Sequence, residues 1–315
     1  MPSRRAIYLL IICLSTQVPC LLADSELEPE LTANPVSLTP LNVVYSYNTR
    51  DPVYQRQSAY VGLLVDLLMR KSGVPYELSV LPVETTPEVR TARRIHKFSY
   101  ITAMHTTSAF EQNLRAIPYP IYMGLTGWRA FFVRTADLER FSKIKTLEEL
   151  QKFIAGQGNN WADNEILEHN GLSVVTAVNR DSLFKFLTLK RVDYFPRGLY
   201  EIEREYMLFA PQNIAIEPSI ILRYPTATYL FVPRENEKLA HALTAGFERA
   251  VSDGSFQALL MRELGVHLKL LNLDKRRILD LENPSHPESL PLNRPELWFD
   301  LNMLYDNQPP MTVSP

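Results

Sequence analysis

Short apolar runs alternate with amphipathic stretches along this chain. Leu41 to Ser46 has the β-branched and aromatic composition of a strand. From Tyr60 to Ser72, Leu63, Leu64, Leu67 and Leu68 fall on one helical stripe, which Gly73 closes. Val74, Tyr76, Leu78 and Val80 alternate with polar neighbours, and Ser99–Met104 and Trp128–Val133 are further strand candidates. Thr146 followed by Glu149 is a capping box, predicting a helix that buries Leu150, Phe153 and Ile154. Asp163 caps a short helix ended by Asn170 and Gly171. A strand at Ser173–Val178, a helix at Asp181–Leu189, strands at Val192–Phe195 and Tyr229–Val232, and a long amphipathic helix at Glu237–Val251 complete the pattern. Strands and helices joined by short connections predict an α/β fold with mostly parallel sheets.

The two ends read differently. Arg4 and Arg5 precede the apolar run Ile7–Leu14, and Leu21-Leu22-Ala23 then leads into Asp24. Basic, apolar, then small is the layout of a secretory signal peptide, cut near Ala23. The run is too short to span a bilayer comfortably, and no stretch of about 18 apolar residues exists to make a polytopic membrane protein. Cys20 is not preceded by the residues a lipoprotein signal needs, so the expected product is soluble and exported. Residues 24–40 are acidic and proline-containing, a linker. From Pro284 onward prolines recur among Leu297, Trp298, Phe299 and Leu301. Such a segment is neither a regular helix nor a central strand. It is expected to lie along the body as an extended strap, the other reading being a disordered tail.

Composition narrows the function. The chain has 315 residues, 46% hydrophobic and 22% charged, with a net charge of −2, which fits a folded globular protein and leaves no basic surplus for nucleic acid. Its two cysteines, Cys13 and Cys20, both precede the expected cut, so the remainder has no disulfide and no thiolate metal ligand. No G-x-S-x-G, no H-E-x-x-H, no phosphate loop and no dinucleotide fingerprint occurs, and the six histidines form no i, i+4 pair. The residues propose no catalysis, no cofactor and no metal.

From about Leu41 to Gly265 the chain resembles the periplasmic solute-binding proteins of family 3, the amino-acid type, with the type II periplasmic-binding fold. Tyr60-Val61-Gly62-Leu63-Leu64-Val65-Asp66-Leu67-Leu68 is similar to the family's GFDVDLL helix. Thr107-Ser108-Ala109-Phe110-Glu111 before Ile117-Pro118-Tyr119-Pro120-Ile121-Tyr122 resembles T-x-x-R followed by FS-x-PY. Thr146-Leu147-Glu148-Glu149-Leu150 looks like the DLKGK entry to the second lobe, and Arg191-Val192-Asp193 resembles GRVDA. Phe247 to Phe256, with Ser252-Asp253-Gly254, is similar to the family's closing helix and turn. The resemblance implies an α/β fold of two lobes with an inter-lobe cleft. Residues 41–125 and 226–275 would form the first lobe, 126–225 the second, and 276–315 the proline-rich strap outside the match.

The departures from the family pattern bear on the ligand. Spacing back from Tyr122 puts Glu111 where family members carry the carboxylate-binding Arg, and Arg197 or Gly198 where they carry the acid for the ligand ammonium. The two anchors then have reversed charge, so a small polar solute presenting an anionic group to Arg197 is expected rather than an α-amino acid in the usual pose. Arg197 follows a strand, where a cleft role and a surface salt bridge are both open. Glu111 is a cleft anchor or an exposed glutamate. Thr106 and Ser108 are hydroxyl donors or ordinary turn residues. Tyr47 walls the cleft or packs in the core, Asn160 sits at a helix start, and Trp161 is an aromatic lid or a packing residue. His105 reads as structural.

The functional expectation is capture of a solute for a membrane ABC transporter, with sensing for a membrane signalling receptor as the alternative and an enzyme on the same fold further off. Partners would be the solute and the permease or receptor, with no nucleic acid.

Overall fold

The computed structural model describes residues 39–84, 95 and 100–305. The leader, the linker up to Leu38, His96, Ser99 and the last prolines lie outside the described residues. The strands are β1 (Leu41–Asn48), β2 (Tyr76–Val83), β3 (Thr102–His105), β4 (Arg115–Ile117), β5 (Trp128–Arg134), β6 (Ile154–Gly158), β7 (Ser173–Ala177), β8 (Tyr194–Gly198), β9 (Ile214–Ile216), β10 (Ile220–Arg223), β11 (Thr228–Val232) and β12 (Arg277–Asp280). The helices are α1 (Pro52–Ser72), α2 (Ser108–Asn113), α3 (Leu138–Ser142), α4 (Leu147–Leu150), α5 (Asp163–His169), α6 (Arg180–Thr188), α7 (Ile202–Phe209), α8 (Glu237–Ser252), α9 (Ser255–Leu270) and α10 (Asn302–Tyr305).

Helix α1 starts eight residues before the predicted stripe. Asp51 caps it, its carboxylate accepting from the N–H groups of Val53 and Tyr54, with Pro52 at the first helical position where no amide is missed. The buried stripe is Tyr60, Val61, Leu64, Val65, Leu68 and Met69, while Leu63 is 42% exposed. The helix is rotated relative to the leucine pattern because it packs on α8 as well as on β1. Thr146 does cap α4 through the N–H of Glu149, but the helix ends at Leu150 and Ile154 opens β6. Asp163 makes no cap; it is buried at the first position of α5 and engaged elsewhere.

The sheets divide into two lobes. In the first, β1 and β2 pair in parallel, β11 lies antiparallel between β3 and β4, and a bridge from Tyr45 to Ile101 links the two sets. In the second, strands run in the order β12-β10-β5-β8-β6-β7, with β9 also on β5. This sheet is mixed, where mostly parallel pairing was expected. β5 is antiparallel to β8, β9 and β10, whereas β6 with β7 and β10 with β12 are parallel. The strand entering from the other lobe runs against its neighbours, and an apolar run carries no mark of direction.

The chain passes between lobes at 118–127 and 224–227, and the C-terminal segment crosses twice more. After α9, β12 joins the second lobe, where Leu281 N–H donates to Arg223 O and Asn283 Nδ2 to Pro225 O, each at 2.8 Å. The segment then returns: Tyr229 donates to Ser289 O at 3.3 Å and Leu290 is buried with Met104, Leu114 and Phe231. Arg294 grips Glu248 at 2.8 and 3.1 Å, Phe299 N–H donates to Met123 O at 2.7 Å, and Tyr305 donates to Asp274 at 2.9 Å. The segment lies along the body as a strap, with one turn of 3₁₀ helix at Pro295–Leu297 and the short α10 within it.

Candidate functional site

The end of β8 delivers Arg197 to the seam between the lobes. Strand alternation sends Tyr194 into the second lobe's own core and Phe195 and Arg197 to the opposite face. Arg197 is 4% exposed, so its charge needs partners. Nε donates to Glu205 Oε2 at 2.6 Å and Nη2 to Glu205 Oε1 at 2.7 Å, a bidentate fork. Nη2 also stands 2.9 Å from Oε2 of Glu201. Trp161 covers the guanidinium at 4.7 Å from its ring centre. Gly158 makes room for that indole: a Cβ there would stand 2.2 Å from the ring.

The first lobe meets these charges with the start of α1. Asp51 Oδ2 accepts from Arg180 Nη2 at 2.9 Å, and Arg180 Nη1 reaches Glu205 at 3.4 Å. Gln57 Nε2 donates to Glu201 at 3.3 Å. Burial pushes the hydroxyl of Tyr54, beside Arg197 and the two glutamates, up to about 12. Burial also raises Glu201 above its ordinary 4.5, against the pull of Arg197. Burial works against the Arg197 cation, but Glu201 and Glu205 outweigh it and hold its pKa well above the usual value.

A second buried cluster adjoins the first. Arg129 donates to Tyr224 Oη at 2.9 Å and to Asp163 Oδ1 at 2.7 Å, Tyr224 donates to the same oxygen at 2.5 Å, and Arg129 Nη1 lies 3.6 Å from Glu201. Burial pushes the Asp163 carboxyl up, but Arg129, His105 and Tyr224 pull it further down, below its ordinary value. Burial lowers the His105 pKa, and that imidazole bonds Thr226 at 2.5 Å, the structural role expected of it.

At the seam three guanidiniums (Arg129, Arg180 and Arg197) pair with four carboxylates (Asp51, Asp163, Glu201 and Glu205), of which Asp51 alone comes from the first lobe. The hollow between α1, α7 and α9, lined by Tyr60, Tyr122 and Tyr200 and by the charged Arg56, Arg204 and Glu263, measures about 20 Å³, room for roughly one water. A larger groove of about 390 Å³ lies on the hinge side, between Trp128, Tyr224 and the strap's Trp298 and Phe299.

Of the sequence-derived site residues, Trp161 and Arg197 come together. Thr106 and Glu111 form a separate group: Thr106 Oγ1 donates to Glu111 Oε1 at 2.5 Å, and Ser289 of the strap donates to the same oxygen at 2.7 Å. Asn160 is exposed with φ of 62°, and Ser108 is exposed in the first turn of α2. Tyr47 is half-buried on β1, paired with Pro82. The anionic-solute expectation gains no support, because Arg197 spends its donors on Glu201 and Glu205. Asp51, Gln57, Arg129, Asp163, Arg180, Glu201, Glu205 and Tyr224 were not anticipated. The four-residue spacing from Arg197 to Glu201 to Glu205 gives no helical signal, because Arg197 lies on β8 and Glu201 precedes α7.

Among the described residues no cluster of His, Cys, Asp or Glu is arranged to hold a metal, and no helix is long and apolar enough to cross a membrane. No protein-family model matches the chain, and neither does any curated protein. Solved structures do. The periplasmic VFT2 domain of BvgS from Bordetella pertussis superposes with a TM-score of 0.52 at 14% identity, over 70% of this chain and 92% of that one. A double mutant of the same domain gives 0.52 at 17% identity, over 70% and 92%. An ancestral arginine-binding protein bound to glutamine gives 0.50 at 14% identity, over 72% and 99%. At such identities the likeness is one of fold, and the chain has the two-lobed α/β fold of the type II periplasmic-binding proteins.

Proposed function

We propose that the protein takes a small polar solute between its lobes and reports or delivers it by closing, in the periplasm, for a membrane ABC transporter. The observation that carries this reading is the seam itself. Side chains from both lobes meet there through Asp51 with Arg180 and Gln57 with Glu201, so separating the lobes exposes a cleft lined with hydrogen-bonding groups and walled by Trp161 and Tyr54. That a fold neighbour is an arginine-binding protein bound to glutamine supports the same reading. The solute is read as meeting Trp161 and the charged group around Arg197, whereas Tyr47, Thr106, Ser108, Glu111 and Asn160 make no contact at the seam that supports the role expected of them. Neither catalysis nor nucleic acid enters this reading, and the leader is read as the export signal.

A second reading is favoured by one feature. The seam's ion pairs form within the protein and the hollow beside them holds about 20 Å³, so the closed state is charge-paired without a solute, with Nε of Arg180 and Nε of Arg204 left buried and unpartnered. That suits a sensor coupled to a membrane signalling receptor.

The test is a thermal-shift screen against amino acids, carboxylates, small peptides and sugars. A solute at 100 times its dissociation constant stabilises by about 2.7 kcal/mol, which is readily seen. A saturable hit supports the carrier. Silence across the panel, with lobe closure unchanged in solution scattering, removes the carrier reading in favour of the sensor.

A further inference from the structure

The guanidinium of Arg197 is held the way a protein holds a free guanidinium ligand. Glu205 accepts both edges of its fork at 2.6 and 2.7 Å, Glu201 accepts at 2.9 Å, and the Trp161 indole lies over its face at 4.7 Å. Two carboxylates at the edge and an indole on the face suit a planar delocalised cation specifically: a neutral amide lacks the charge and an ammonium lacks the plane. The same two glutamates are the groups that the rest of the seam reaches, Glu205 through Arg180 to Asp51 and Glu201 through Gln57. The cation therefore organises the acids on which the lobes close.

We propose that this is a guanidinium-binding site occupied in cis, with Arg197 as its tethered ligand. The proposal deepens the reading of the seam as the place where the lobes close on a solute, and rests on it. A ligand carried on the chain acts at an effective concentration of millimolar or more, so a free guanidinium compound at similar concentration does not displace it from the wild-type protein. Removing the side chain beyond Cβ leaves Glu201, Glu205 and Trp161 facing a space of guanidinium shape.

The experiment uses the full chain carrying Arg197→Ala, with methylguanidinium chloride as the probe. Methylurea has its shape without charge, methylammonium its charge without the fork, and sodium chloride controls for ionic strength. The variant is expected to melt below wild type. About 10 mM methylguanidinium should raise its Tm by about 3 °C or more, saturably, while the three controls and the wild-type protein stay unmoved. An equal response to methylammonium, no response, or an equal rise in wild type overturns the proposal. Where Arg197→Ala does not fold, refolding yield decides: recovery with methylguanidinium but not methylurea supports it, and equal or no recovery overturns it. A wild-type solute hit in the screen above combined with failed recovery here would end this inference and leave the proposed function standing.

Discussion

Asp51 and Arg180 join the start of a helix in one lobe to the start of a helix in the other. Asp51 Oδ1 accepts from Val53 N–H at 2.9 Å and so caps α1, while Oδ2 accepts from Arg180 at 2.9 Å across the seam. Helix nucleation and lobe closure share one carboxylate, and two substitutions separate them. Asp51→Ser keeps a capping oxygen and loses the latch; it is expected to change urea stability by less than about 1 kcal/mol while enlarging the radius of gyration in solution scattering. Asp51→Ala loses both, costing about 1 kcal/mol more than Asp51→Ser.

Gly246 of α8 lies on the backbone of Leu68 in α1. A Cβ at that position would stand 2.2 Å from the Leu68 carbonyl oxygen and 2.7 Å from its carbon, and neither can yield unless the helices part. On an exposed helix, replacing Gly with Ala stabilises by up to about 1 kcal/mol. Here Gly246→Ala is expected to destabilise by about 2–3 kcal/mol, as overpacking does. The sign of the shift in the urea midpoint is the check.

Acid should loosen the strap at Arg294. Hydrogen bonds from Arg294 and then Tyr119 hold the Glu248 carboxyl below its ordinary 4.5. A lowered folded pKa means that this contribution is complete above the ordinary value and is lost as pH falls through the depressed one. Hydrogen exchange in residues 290–299 is expected to accelerate over that acid window. In Arg294→Ala the strap should exchange fast already at neutral pH, with little further change on acidification.

Trp298→Ala tests one of the strap's apolar anchors, the half-buried ring between the buried Leu297 and Phe299. Its Nε1 donates to Pro291 O at 2.9 Å and its ring packs against the first lobe's core. Full burial of a Trp is worth about 3–5 kcal/mol against Ala, and this half-buried ring about 2 kcal/mol. The loss should appear in thermal melting, with faster exchange confined to 282–299 and the hinge at 123–128.

The strands were legible because each is a short apolar run bounded by turn residues, as Trp128–Val133 and Tyr229–Val232 are. Their directions were not, since β5 looks the same whether its neighbours run with it or against it. The first turns of α1 were missed because Arg56, Gln57 and Ser58 are polar there: Gln57 reaches Glu201 across the seam, Arg56 donates to Glu263 O, and Ser58 Oγ accepts from Asn48 N–H. Arg197 was found from the family pattern, but its occupancy was not. Glu205 reads in sequence as one more solvated helix charge, although it is wholly buried in the fold. Asp51 and Arg180 are 129 positions apart, and no local pattern joins such a pair.

The return of β12 to the second lobe bears on when the protein can fold. β10 lies between β5 and β12, and β12 is residues 277–280. The first lobe likewise waits for β11, which sits between β3 and β4, and for α8, which covers α1. The first lobe is unfinished until α8 has left the ribosome and the second until β12 has, and the pairings that complete them span a large sequence separation, which makes folding slow. Until residue 280 has emerged the polypeptide is therefore an unfinished thread, the form in which a chain can still be drawn lengthwise through a narrow channel.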